Sequence, residues 1–453
     1  MTFLFRHGVL STGPVTTAPT SAPADIAAAV AAARAAYAAA NPHSAERHAL
    51  ARRSMPGGNT RTTLYYEPFP LVFAGGQGAH LTSLDGRRYT DFLGEFTAGL
   101  YGHSHPVILR RIHEVLDAGV TLGGHNDYEA RFSAELRRRF PSLELLRFTN
   151  SGTEANLMAL AAATAHTGRR GVVVFGGGYH GGVLSFAAGN GPTNVPHAFH
   201  VADYNDAAGA AALIRQLGDG LAAVLVEPML GAGGNIPATP EFLGTLRAET
   251  ERAGALLILD EVMTSRLSIG GLQRRLGLDP DLTTLGKYLG GGMSFGAFGG
   301  RAEIMSHFDP SHPNAWPHAG TFNNNVLTMA AGLAGLEEVL HEDVITELNQ
   351  RGDRLRDALN AAFREADVPL QALGIGSLMT IHAVTGEVTS PADLARARDD
   401  IQELLFLHLI EEGFWLARRT LIALSIAVTD DDCAALVASV RRFTDRYASL
   451  LQT

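Results

Sequence analysis

The chain predicts an α/β protein, with a large domain on a mostly parallel sheet and a second, smaller domain. Three observations predict it. From about residue 105, short apolar runs alternate with helical patterns, the layout of successive βα units. The runs at 171–175, 222–226 and 255–259 are almost continuously apolar, as strands buried on both faces of a parallel sheet must be. At 453 residues, with 46% hydrophobic and 18% charged residues, the chain exceeds one small core yet has the composition of an ordinary globular protein.

Taken in order, residues 11–24 are rich in Ser, Thr, Pro and Ala and read as part of a flexible leader. The Ala-rich stretch 25–40 begins at Asp25 and stops at Asn41-Pro42, which predicts an exposed or dimer-facing helix without chemistry. Residues 71–93 alternate in strand fashion, and Asp85-Gly86 marks a hairpin turn. Helical patterns cover 106–118, 127–139 and 153–167, and 145–148 reads as a strand. The triplet Arg137-Arg138-Arg139 reads as a solvated helix face. A long Ala/Leu-rich helix is expected from about 326 to 340 and another over 342–365. Residues 370–453 mix short strands and helices.

A net charge of −10 argues against nucleic acid or an anionic membrane surface as a partner. Cys433 is the single cysteine, so no intrachain disulfide and no cysteine-based metal site can form, and no metal site is expected. No run of 18 uncharged apolar residues occurs, and the apolar start at Met1 is too short for a secretory signal. A cytoplasmic location is the expectation.

One residue stands apart. Of 36 Lys and Arg residues, 35 are arginine and one, Lys287, is lysine. Where charge suffices, arginine serves. An ammonium, unlike a guanidinium, can lose its proton and attack a carbonyl as a nucleophile. The neighbours of Lys287 suit an aldehyde cofactor. Asn150-Ser151-Gly152-Thr153-Glu154 is a strand-to-helix turn whose free N–H groups suit a phosphate, although a plain helix cap gives the same pattern. Gly178-Tyr179-His180-Gly181 follows a buried strand and could bring the Tyr179 ring flat against a ligand. Asp260 ends an apolar strand, where its carboxylate needs a cation such as a protonated pyridine nitrogen. Glu227 is a similar strand-end acid. A nucleotide P-loop is excluded, because Asp281 and Tyr288 stand where glycine and Ser or Thr are required.

The order of phosphate turn, Tyr179, Asp260 and Lys287 resembles the class III aminotransferases, in the branch of glutamate-1-semialdehyde aminomutase. Segments 150–155, 178–181, 259–262, 286–287 and 319–324 carry the resemblance, which is strongest to the aromatic β-amino acid aminotransferases. It implies a fold-type I transferase with a seven-stranded sheet and pyridoxal 5'-phosphate as cofactor. It implies that Lys287 forms the Schiff base and shuttles the proton, that Asp260 pairs with the pyridinium, and that Tyr179 and Val262 cover the two ring faces. Ser151, Gly152 and Thr153 would hold the phosphate, with Glu227 nearby. Thr321 would reach the phosphate of the other subunit of a homodimer. Arg61 and Arg419 would bind the carboxylates of amino acid and oxo acid substrates, with Arg418 as a one-residue alternative to Arg419. The implied activity is transfer of an amino group from an aromatic β-amino acid such as β-phenylalanine to 2-oxoglutarate or pyruvate. A 2,1-aminomutase and an ω-amine transaminase are the alternatives. The expected division is a leader at 1–24, an N-terminal segment at 25–80 packing with the small domain, a cofactor domain at 81–330 and the small domain at 331–453.

Overall fold

A computed structural model describes residues 25–187 and 189–452. The expected leader at 1–24 lies outside the described residues. The central sheet has seven strands: β1 (Leu145–Thr149), β2 (Gly171–Phe175), β3 (Ala198–Ala202), β4 (Leu221–Val226), β5 (Leu256–Asp260), β6 (Leu282–Gly286) and β7 (Gly296–Gly300). Their order across the sheet is β1-β7-β6-β5-β4-β2-β3. Only β7 runs antiparallel to its neighbours.

The apolar runs are explained by alternation between two cores. Val172 and Val174 of β2 enter a core with Ala155, Ala159 and Leu160 of the Gly152–Thr167 helix. Val173 and Phe175 enter the opposite core with Phe242 and Leu246 of the Pro240–Ala253 helix. Both faces of β2 are thus covered by apolar side chains.

The hairpin forms as expected: His80–Ser83 pairs antiparallel with Arg88–Asp91. The second edge of that small sheet is closed from far away in the sequence, by Phe414–Trp415 lying parallel to Arg88–Asp91. A three-stranded antiparallel sheet, Gln371–Ile375, Leu378–His382 and Leu421–Ala423, belongs to the C-terminal part.

Two expectations are corrected. The Ile26–Ala40 helix is not a free exposed element: it buries Ile26, Ala29, Val30 and Tyr37 in the main core and packs on Asp399–Glu411. Its alanines let the two helices approach closely, and one apolar stripe suffices to dock it. The helix starting at Val326 stops being α-helical at Ala334 and continues as a π-turn over Gly335–Val339, where the Leu340 N–H reaches the Gly335 carbonyl. Gly335 fits there because a side chain would collide with the ring of Tyr101. Among the described residues no helix is long and apolar enough to cross a membrane.

Candidate active site

Five of the sequence-predicted positions converge at the carboxyl ends of parallel strands, where α/β sheets place ligands. The Ser151 turn follows β1, the Tyr179 loop follows β2, Glu227 follows β4, Asp260 ends β5 and Lys287 follows β6.

Asp260 is almost fully buried, and its carboxylate is fixed by three donors. Oδ2 accepts from Asn156 Nδ2 at 2.8 Å and from His180 Nδ1 at 2.8 Å, while Oδ1 accepts from the Val262 N–H at 2.9 Å. The turn-capping bond from Val262 and the buried-acid reading therefore coexist at one residue. A carboxylate acceptor requires that Nδ1 of His180 carries the hydrogen. Asn156 is the organising residue that sequence reasoning missed. Its amide also donates to the His180 carbonyl at 3.0 Å and accepts from Thr284 Oγ1 at 2.8 Å. The available signal was a polar side chain within the apolar face of the Gly152–Thr167 helix.

Lys287 adopts a left-handed backbone, with φ of 56°, immediately after β6. A non-glycine residue in that region is disfavoured and is found where surrounding structure over-determines it, commonly at functional sites. Among the described residues its amine makes no hydrogen bond or ion pair. Burial pulls it down to about 8; Glu227 and Asp260 oppose that shift, and Arg419 and Arg266 add to it. Glu227 is pushed up to about 7, chiefly by burial. Its two oxygens accept from the N–H groups of Tyr179 and Gly231, each at 2.9 Å, so it pins the Tyr179 loop. The Tyr179 ring nevertheless stays 45% exposed.

Two close approaches bind the strand ends into one unit. A Cβ on Gly181, whose φ is 134°, would lie 2.6 Å from Cβ of Thr153, so the Tyr179 loop lies directly against the Ser151 turn. Val262 wedges between Gly152 and Gly286: a Cβ on either would lie 2.9 or 3.1 Å from its methyl groups. Ser151 caps its helix by accepting from the Glu154 N–H at 3.2 Å. Among the described residues the N–H groups of Gly152 and Thr153 find no acceptor, which leaves the positive helix end open.

The two neighbouring arginines diverge. Arg418 points outward and pairs with Glu403 at 3.0 Å. Arg419 points inward, with no carboxylate within ion-pair distance among the described residues and with a buried, unpartnered Nε. Burial lowers its basicity, and Glu227 and Tyr179 face it. Arg61 pairs with Glu95. Arg61 and Arg419 both lie over the ring of Phe96, at 5.4 and 6.0 Å from its centroid. Phe96 was not anticipated, because nothing in the linear pattern marks it. Thr321 is exposed and lines a surface recess with Val120, Leu122 and Phe322, apart from the Lys287 cluster of its own chain.

Comparison with known proteins gives the family. The family model for aminotransferase class-III matches residues 64–440. The chain is 52% identical to the beta-phenylalanine transaminase of Variovorax paradoxus over 91% of its own length and 95% of the relative. A crystal structure of the beta-phenylalanine aminotransferase from that organism superposes with a TM-score of 0.93 at 51% identity, covering 94% of this chain and 99% of the other. A glutamate-1-semialdehyde 2,1-aminomutase of Thermus thermophilus is 35% identical over 86% of this chain and 97% of its own. A transaminase solved with PLP bound superposes at a TM-score of 0.84, with 31% identity, over 91% of this chain and 99% of the other. The chain belongs to the class III aminotransferase family, enzymes that use pyridoxal 5'-phosphate to exchange amino groups between amino acids and oxo acids.

Proposed function

We propose that this aminotransferase moves the amino group of an aromatic β-amino acid, such as β-phenylalanine, to 2-oxoglutarate or pyruvate. The observation that carries the substrate class is the pairing of Arg419 with Phe96. Among the described residues a half-buried guanidinium, with a buried and unpartnered Nε and no carboxylate of its own, stands beside an aromatic face. A carboxylate satisfies the first by two-point hydrogen bonding, and an apolar ring packs on the second. The similarity to the Variovorax paradoxus transaminase supports the same reading.

The residues present fit the cofactor. The open helix N-terminus at Gly152 and Thr153, with the Ser151 and Thr153 hydroxyls, suits its phosphate. Oδ1 of Asp260 has one protein donor and room for another from a ring nitrogen. Tyr179 and Val262 supply the two faces. When bound, pyridoxal phosphate supplies an aldehyde for amines and a protonated ring that accepts electrons from the bond being broken. Asp260, fixed by Asn156 and His180, would present its carboxylate to the ring nitrogen. Glu227 positions Tyr179 through its backbone. Lys287 Nζ, drawn down to about 8, gives up its proton more readily than an ordinary lysine and would be the amine that holds the cofactor aldehyde and the base that moves a proton there. Arg419 takes the first carboxylate, and Arg61 is the second cation that a diacid requires.

The enzyme is read as a homodimer. Val120, Leu122 and Phe322 are exposed apolar residues lining one recess with Thr321, a surface that a second copy would cover, with Thr321 at the contact. Its compartment is read as the cytoplasm, where the free, buried Cys433 stays reduced.

The test is purified holoenzyme with racemic β-phenylalanine and 2-oxoglutarate. Glutamate formation is expected, with kcat/KM falling at least ~100-fold in Arg419→Ala and within about twofold of wild type in Arg418→Ala. Absence of glutamate, and of alanine when pyruvate replaces 2-oxoglutarate, with the cofactor bound overturns the substrate assignment. Turnover of an amine lacking a carboxylate, insensitive to Arg419→Ala, would replace it with an ω-amine transaminase, and turnover of a single amino-aldehyde with an aminomutase.

A further inference from the structure

The segment between Arg61 and Arg419 is a left-handed turn. Gly94, Glu95, Phe96 and Thr97 have φ of 52°, 48°, 52° and 82°. Three consecutive non-glycine residues in that region are sterically disfavoured, and such a turn persists only when held from outside. It is held at both ends. Asp91 Oδ1 accepts from the N–H groups of Leu93 and Gly94, at 2.8 and 3.0 Å. The fully buried Arg266 donates from Nη1 to the Thr97 carbonyl at 3.2 Å. What the turn accomplishes is placement. Glu95 meets Arg61, and the Phe96 ring meets both guanidinium groups.

The two cations therefore differ in kind. Among the described residues Arg419 has no resident carboxylate, and it can take one directly. Arg61 already has one, and the Arg61 and Glu95 side chains are 45% and 57% exposed. An ion pair in that setting is weak and exchanges readily. We propose that Glu95 is a built-in stand-in for a substrate carboxylate, occupying Arg61 until the second carboxylate of a diacid displaces it. Glu95 thereby sets the balance between dicarboxylate and monocarboxylate substrates. A monoacid with an aromatic group uses Arg419 and the Phe96 face, and Arg61 stays neutralised rather than facing the ring as a bare charge. A diacid engages both arginines and sends Glu95 into solvent. The proposal rests on the reading of Arg61 and Arg419 as carboxylate sites.

The experiment is calorimetric titration of the holoenzyme with two unreactive acids, glutarate and propionate. Removing a weak internal competitor is expected to tighten glutarate about two- to fivefold in Glu95→Gln, and in the same direction in Glu95→Ala. Propionate affinity is expected to stay unchanged. In the double variant Arg61→Ala/Glu95→Gln the gain disappears. Equal changes for both acids, as general loosening of the turn would give, overturn the proposal. So does unchanged glutarate affinity in Glu95→Gln when Arg61→Ala alone weakens it. Glutarate binding indifferent to both Arg61→Ala and Arg419→Ala refutes instead the underlying assignment of the arginines.

Discussion

Replacing Asn156 with alanine removes the group that ties three parts of the site to the Gly152–Thr167 helix. The carboxylate of Asp260 loses one of the two donors on Oδ2, the His180 carbonyl loses its donor, and the Thr284 hydroxyl loses its acceptor. Asp260, His180 and Thr284 are all buried, so water does not simply replace the amide. A hydrogen bond to a charged group is worth about 1.5–3 kcal/mol, and each neutral partner left unsatisfied costs about 1 kcal/mol or more. The expected loss is roughly 3–5 kcal/mol. At roughly 2.1 cal/mol/K per residue, the 453-residue chain unfolds with an entropy near ~1 kcal/mol/K, so its melting temperature falls by about 3–5 °C. Differential scanning calorimetry of the apoenzyme measures this directly. A freed carboxylate also serves the cofactor less well, and equilibrium dialysis is expected to show pyridoxal phosphate bound at least about tenfold more weakly, some 1.4 kcal/mol. A melting shift under about 1 °C together with unchanged cofactor affinity would refute the role of Asn156 as the hub.

Two further outcomes follow from the same geometry. The rate at which apoenzyme takes up pyridoxal phosphate depends on the neutral fraction of Lys287, whose amine is drawn down to about 8 by burial. Stopped-flow rates should rise with pH, pass half-maximum near 8 and level off above it; a flat profile between about pH 7 and 9, or a rise delayed towards the ordinary lysine value of about 10.4, contradicts that. Gly181→Ala introduces a side chain at a φ of 134° and 2.6 Å from Cβ of Thr153, which parts the Tyr179 loop from the phosphate turn. Overpacking and backbone strain together cost about 2–5 kcal/mol, so cofactor retention on gel filtration should be lost, and full retention would show that the two loops need not touch.

Much of this was legible in the linear sequence because it rests on local rules. The hairpin at Asp85-Gly86, the strands at β2, β4 and β5, and the acids that end strands follow from periodicity and turn chemistry. The strand β7 was not legible. Its sequence, Gly296-Ala297-Phe298-Gly299-Gly300, has poor strand propensity; it is held by ladders to β6 and β1, and its glycines are required because backbone at Ser151, Leu145 and Asp281 lies too close for side chains. At the site, Lys287, Asp260 and the Ser151 turn could be read because each carries a distinctive chemical demand. Phe96 and Arg266 carry no such local demand, and the polar side chain on the apolar helix face at Asn156 was the one signal it offered, since the importance of all three lies in partners brought together by the fold. Asn156 reaches Asp260 across 104 positions and Arg266 reaches Thr97 across 169. The choice between Arg418 and Arg419 likewise needed three dimensions: Glu403 claims the first, and the second faces Glu227 and Tyr179.

The central claim is that the chain's one lysine is the amine that holds the cofactor. That singularity makes the test clean, because besides Lys287 the chain offers pyridoxal phosphate only its amino terminus. Borohydride reduction of the holoenzyme followed by intact-mass and peptide analysis is the most direct measurement. One pyridoxyl phosphate adduct per chain is expected, on the peptide containing Lys287 and absent in Lys287→Arg. An adduct that persists in Lys287→Arg, or a wild-type protein that takes up none, would contradict it.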